Sequence, residues 1–322
     1  MLTPAFYARY QVVPRPGWLT VARALFGANA ALAGTRFCVE GTGRVPAGPV
    51  LFATNSTQQN DFLAFRWVAE RAGRRCVTVA KAKNYHDAAM AFALRRLGVV
   101  PIASKGYLLL CDFTATIGRR PTDSEYRALR EYLDHGASLP AGEPYATLTS
   151  RPRAIVGRRF EPAGAALRDH LRATYVASLG ETVRLARVAV AAGQDVQIYP
   201  EGTVAPRLGR CRVGAVQLAW ALGTPIVPVG LSACPRAFAG VTPFLRPGGA
   251  VTVRFGAPLA LAPGFLPAAF RAFQPEDEAG ARGVLERFTD ERLMPAIDAL
   301  LDPPFRHDPA DPWAGKGTRA HL

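Results

Sequence analysis

The sequence predicts an α/β fold, and two observations carry that prediction. Short runs rich in β-branched and aromatic residues alternate with helix-patterned segments along much of the chain. The helical segments open on capping residues and close on glycine.

The elements follow in order. Residues 1–35 form an N-terminal helical segment. Its apolar part, Trp18 to Gly34, is broken by Arg23 and Asn29 and falls short of the ~20 apolar residues that a membrane span needs. It reads either as a helix packed on its own domain or as an interfacial helix leaning on a membrane. Its charges are spread, unlike those of a signal peptide. RFCVEG (36–41) and PVLFATN (49–55) are strands. Residues 61–72 form a helix ended by Gly73. CVTVAKA (76–82) is extended, AMAFALRRLG (89–98) is helical and VVPIA (99–103) is extended again.

Residues 106–180 are less regular. TDSE (122–125) is a capping box that opens a helix ending before Gly136. Pro and Arg dominate 140–162, which reads as a surface excursion. SLGE (178–181) repeats the capping-box pattern and is expected to start a new helix stopped at Gly193. VQIY (196–199) is a strand, RVGAVQLAWALG (212–223) a helix, and TPIVPVGLSA (224–233) and VTVRFG (251–256) are strands. An amphipathic helix spans about 276–301, and the Pro- and Gly-rich tail from 303 is expected to be loose.

The chain has 322 residues, 49% of them hydrophobic, enough for one large domain with additions or two small ones. Its net charge is +14, and only four lysines (Lys81, Lys83, Lys105, Lys316) stand among 39 basic residues. This excess of arginine reflects either a biased codon pool or a surface that attracts anionic headgroups, CoA phosphates or nucleic acid. The five cysteines show no CxxC pair, which suggests reduced thiols in a cytoplasmic protein, and the five histidines form no metal motif. No RNP, KH or zinc pattern is present, and the aromatics do not interleave with the basic residues, so nucleic acid is not an expected partner.

Two polar loops leave apolar strands in the same way, ATNSTQQND (53–61) and IYPEGTVAPRLGR (198–210). In open α/β sheets ligands sit beyond the carboxyl ends of strands, so one shared site is expected there. Gly202 lets backbone approach a ligand, and Thr203 offers a hydroxyl. Arg207, Arg210 and Arg212 supply forks that match phosphate, and Lys81 and Lys105 add charge after two other strands. The alternative is a solvated turn with arginines around it.

The stretch YPEGTVAPRLGRCRVGAVQLAWALGTPIVPVGL resembles the third signature block of the glycerolipid acyltransferases, the 1-acylglycerol-3-phosphate acyltransferase family. VAKAKNYHDAAMAFALRRLGVVPIASKG resembles the second block and VTVRFGAPL the following strand. The likeness covers roughly 48–105 and 181–260, in the family's block order; residues 106–180 do not fit and stand as a helical insertion.

The resemblance implies a mixed central sheet wrapped by helices over 36–262, with a helical segment at 263–302 and a loose tail at 303–322. It implies acyl transfer from acyl-CoA or acyl-carrier protein, with no bound cofactor or metal, to a glycerolipid or lysophospholipid hydroxyl. The protein would lie peripherally on an anionic membrane, at its cytoplasmic face. The first block, Asn-His, four residues, Asp, falls on Asn55, Ser56 and Asp61. Ser56 stands where the family has its general-base histidine, and a serine hydroxyl is far too weakly basic for that role. Ser104 replaces the second block's Arg, and Val204 and Ala205 replace the third block's Arg and Ser.

Ser56 and Asp61 are the candidate catalytic residues. Asn55, Lys81, Lys105, Glu201, Gly202, Thr203, Arg207 and Arg212 are the candidate substrate contacts. Three readings stay open: a divergent enzyme whose base is another group such as His86, His135 or His170; a catalytically inactive lipid- or acyl-binding protein; and an enzyme acylated on Ser56.

Overall fold

In a computed structural model, which describes residues 2–14, 16–240, 242–308 and 310, the chain begins with α1 (Pro4–Ala8), α2 (Pro16–Leu32), β1 (Arg36–Glu40), β2 (Leu51–Thr54), α3 (Asp61–Arg71) and β3 (Cys76–Lys81). It continues with α4 (Ala88–Arg96), β4 (Val100–Ile102), α5 (Lys105–Ile117), α6 (Asp123–His135), α7 (Tyr145–Ser150), β5 (Arg153–Ile155), β6 (Arg158–Phe160) and α8 (Leu167–Ala191). It ends with β7 (Asp195–Ile198), α9 (Gly214–Leu222), β8 (Ile226–Ser232), α10 (Cys234–Ala237), β9 (Ala250–Phe255), α11 (Pro275–Phe288) and α12 (Met294–Asp298).

The sheet has seven strands in the order β1-β9-β8-β2-β7-β3-β4. β2 runs parallel to both β7 and β8, and β3 parallel to β7, whereas β9 is antiparallel to β8. The fold is therefore α/β with a mixed sheet. β2, β7 and β8 are buried along their whole length, as expected for central strands covered on both faces.

Contacts divide the chain into two compact units, one of residues 1–11, 80–95 and 99–185, the other of 12–79, 96–98 and 186 onward. The second unit holds a core in which Phe52 meets Phe65 and Phe255 edge-on, with ring centroids 5.1 and 5.7 Å apart. The strand starts are pinned by Asp195. Its Oδ1 accepts the Val50 N–H at 2.9 Å, and both its oxygens accept from the Arg74 guanidinium at 2.6 and 2.9 Å.

The first unit corrects two sequence expectations. The stretch 140–162 is not a loose excursion, because it forms α7 and the β5–β6 hairpin and buries Leu148, Ile155 and Phe160. Arg153 of that hairpin grips Asp112 with two bonds of 2.6 and 2.7 Å and covers the Phe160 ring. SLGE does not open a helix, because α8 runs straight through it. Ser178 turns its hydroxyl back to the Thr174 carbonyl at 2.8 Å, the mid-helix use of serine, while Leu171, Tyr175, Leu179 and Val183 keep one buried stripe. The Thr122–Glu125 capping box is present in full.

Two further points concern the C-terminal part. The helix expected over 276–301 is interrupted by a π-helical turn at Thr289–Leu293. The segment expected to be loose from 303 begins with a turn that buries Phe305, whose carbonyl accepts the Leu208 N–H at 2.9 Å. Residues 311–322 of that tail lie outside the described residues.

Asp195→Ala is expected to lower unfolding free energy by ~3 kcal/mol, the low end for removing one partner of a buried pair, because Arg74 keeps a solvated edge. Urea denaturation monitored by circular dichroism measures it.

Candidate active site at the ends of β2 and β7

The register Ala53↔Ile198 makes the two parallel strands finish level, so the 55–60 and 199–210 loops leave the same edge of the sheet. They are bonded to each other. The Ser56 N–H donates to Glu201 Oε2 at 2.7 Å, and the Ala205 N–H donates to the Ser56 carbonyl at 2.9 Å. The Gly209 N–H fills Glu201 Oε1 at 2.8 Å. Glu201, 1% exposed, thus has both oxygens occupied by backbone donors. Burial pushes its carboxyl up to about 8, its two N–H donors pull the other way, and the nearby Asp61 adds to the rise.

Asp61 is the first residue of α3 and is also 1% exposed. Its Oδ2 accepts the Thr57 and Gln58 N–H groups at 2.6 and 2.8 Å, closing a tight turn before the helix. Its Oδ1 is buried with no hydrogen-bond partner. Burial raises the carboxyl to about 7, and the Gln58 and Thr57 N–H donors and the neighbouring Cys234 thiol only partly offset this. Cys234 and Tyr199 lie close enough for their own acidities to be suppressed further by Asp61, beyond what burial does. Tyr199 in turn takes a bond from Gln197 Nε2 at 3.1 Å, and Gln197 Oε1 takes one from Thr78 at 2.8 Å. This polar line behind Asp61 was not singled out in the sequence. Gln197 on β7 and Tyr199 just past its end are its only sequence trace.

The remaining candidates divide. Ser56 is 7% exposed, and its backbone joins the two loops. Asn55 is spent on structure, because its amide oxygen and nitrogen bond the Leu231 N–H and C=O at 2.7 and 3.0 Å and splice the end of β2 to β8. Gly202 adopts φ 62°, and Arg212 packs so close that a Cβ there would stand 3.1 Å from its Nε. Thr203 is exposed. Arg207 is exposed but ion-paired to Asp308 at 2.8 Å, and it is followed by Leu208, whose carbonyl receives His307 Nδ1 at 3.0 Å. A carbonyl only accepts, so Nδ1 is the donor in this bond.

Lys81 and Lys105 belong to the other compact unit, as do His86, His135 and His170. Lys105 is not a rim cation, because it is buried and held by Asp134 at 2.8 Å. Ser104, where the family has Arg, caps α5 by accepting the Tyr107 N–H. His135 is exposed, 4.0 Å from Glu131, and burial lowers the His170 pKa. His86 Nε2 is 4.0 Å from the Cys111 thiol.

Because the folded pKa of Asp61 is raised, the folded state binds its proton more tightly than the unfolded state. That stabilisation is complete below the ordinary carboxylate range and is lost as pH rises through about 7. The melting temperature is therefore expected to fall between pH 5 and pH 8. Asp61→Asn, which can keep both loop N–H bonds and adds donors at the other oxygen's position, should make the decline shallower, and the part due to Glu201 should remain. Thermal melts across pH for both proteins test this.

No family model matches the sequence, and no curated protein matches it. Among solved structures the chain is similar to the 1-acyl-sn-glycerophosphate (LPA) acyltransferase PlsC from Thermotoga maritima, at 14% identity and a TM-score of 0.42, over 85% of this chain and 78% of that one.

Proposed function

We propose that the protein transfers a fatty acyl group from acyl-CoA or acyl-carrier protein to a glycerolipid or lysophospholipid hydroxyl, with Asp61 itself as the base. The observation that carries this reading is the Asp61 carboxyl. It has one oxygen anchored by two backbone donors, the other unpartnered, and a pKa raised to about 7, beside the position where the resembling family places its imidazole. A general base works best when its pKa lies near the operating pH, and burial brings this carboxylate there. The order of the three sequence blocks supports the same reading.

The chemistry balances without a cofactor. The acceptor oxygen attacks the thioester carbonyl, and Asp61 takes the hydroxyl proton. The C–S bond breaks, and the departing thiolate receives that proton. Ser56 leaves the space of the missing imidazole to the acceptor. Thr203 and Arg212, around the left-handed Gly202, are the groups assigned to an acceptor phosphate; Arg207 joins them only by leaving Asp308. Glu201 shapes the loop rather than binding substrate. The net charge of +14 fits a peripheral, salt-sensitive position on an anionic membrane at its cytoplasmic face.

A second reading, an acyl- or lipid-binding protein without turnover, is favoured by the closure of the site: Asp61 and Glu201 are each 1% exposed.

Acyl-CoA consumption with a panel of lysophospholipids separates the two. Wild type should turn over, and Asp61→Asn should lose ~10²–10⁴ of the rate, the worth of a general base. Ser56→His should add little. A silent wild type with an active Ser56→His would instead make the protein a relic of an enzyme.

A further inference from the structure

The 199–210 loop is held from outside by the segment that follows α12. That segment starts fixed to the sheet. The Asp302 N–H donates to Ser232 Oγ at 3.0 Å, and the Arg254 guanidinium meets Asp302 Oδ1 at 2.7 Å. Phe305 is then buried in a turn closed by its own N–H on the Asp302 carbonyl at 2.9 Å. The residues beyond it grip Leu208, itself buried. The Phe305 carbonyl accepts the Leu208 N–H at 2.9 Å, and His307 Nδ1 donates to the Leu208 carbonyl at 3.0 Å. The His307 N–H is held in turn by Asp298 Oδ1 at 2.6 Å.

This grip reaches the site through one more residue. Gly209, next to Leu208, gives its N–H to Glu201, whose other oxygen holds the Ser56 N–H. It also delivers a carboxylate. Asp308, directly after His307, ion-pairs with Arg207 at 2.8 Å. Residues 202–275 contain no Asp or Glu, so the loop has no acid of its own and its arginine takes one from 101 residues away.

A pair between side chains 52% and 36% exposed is weakly held, because water competes for both charges. Here the acid sits on a fixed backbone, which keeps it within reach of Arg207. The contact is therefore occupied at rest and open to exchange. A phosphate monoester is the matching competitor, since it brings up to two charges and three acceptor oxygens to a guanidinium fork.

We propose that residues 302–308 form an autoinhibitory strap. It shapes the loop through Leu208 and keeps Arg207 on Asp308 until a phosphate-bearing ligand displaces the carboxylate. That this selects a phosphorylated acyl acceptor rests on the acyl-transfer reading. The competition itself needs no turnover.

The test is isothermal titration of the full chain at low salt, where exposed charges are least screened. The probes are inorganic phosphate and hexanoyl lysophosphatidic acid, the latter below its micelle concentration. Asp308→Asn keeps the side-chain shape and removes the charge. It should bind at least one probe about two- to fivefold more tightly than wild type, the scale of one exposed ion pair. In an Arg207→Ala background the same change should add nothing. The Leu208 amide should resist hydrogen exchange in wild type and Asp308→Asn alike, because the strap stays seated. Matching melting curves establish that the variants are folded.

A gain with inorganic phosphate assigns the competition to phosphate itself, and a gain with the lysophospholipid alone assigns it to a lipid headgroup. Equal affinities of wild type and Asp308→Asn overturn the proposal. So does the same gain without Arg207, which would be an effect of net charge. Binding of neither probe by any variant, or a wild-type Leu208 amide that exchanges as an open loop does, also overturns it. Acyl-CoA consumption is read in parallel. Competition without turnover sinks only the catalytic reading, and turnover with unaltered affinities sinks only the strap.

Discussion

The level finish of β2 and β7 is the constraint on which the site depends. Two parallel strands in register deliver two polar loops to one edge, and the Glu201 carboxylate fastens them by accepting from Ser56 on one side and Gly209 on the other. Burying a carboxylate is costly unless its lone pairs are used, and Glu201 uses both oxygens. Asp61, in the same mouth, uses one. An unmet buried acceptor costs about 1–3 kcal/mol. The two acids therefore differ: each Glu201 oxygen accepts a backbone N–H, whereas Asp61 gathers its backbone donors on one oxygen.

The same accounting changes the meaning of the positive charge. Composition presents many arginines as available for anions. In the folded chain Arg74 serves Asp195, Arg153 serves Asp112, and Arg207 serves Asp308. What remains for a partner is decided by location rather than number.

Local patterns were legible where the local chain alone decides them. The Thr122–Glu125 capping box, the left-handed glycines 73, 136, 193 and 223 past helix ends, and the central strands all follow from rotamer, dihedral and burial preferences acting over a few residues. The Ser178–Glu181 pattern carried the same letters and formed no cap. A continuous buried stripe on α8 outweighs a capping preference of about 1 kcal/mol. The 140–162 stretch misled for a related reason. Its Pro and Arg content reads as surface, but the partner that folds Arg153 inward, Asp112, lies 41 residues earlier.

The sequence by itself determined the α/β class and the two polar loops at strand ends, because each is a matter of residue order and short-range periodicity. Only the tertiary structure decided what those residues do. It spent Asn55 on Leu231 and Glu201 on backbone donors, sank Lys105 against Asp134, and left one Asp61 oxygen without a partner. Hydrogen-bond satisfaction and desolvation are properties of atoms brought together from distant parts of the chain. A pKa of about 7 for an aspartate is therefore a consequence of packing that no local pattern encodes.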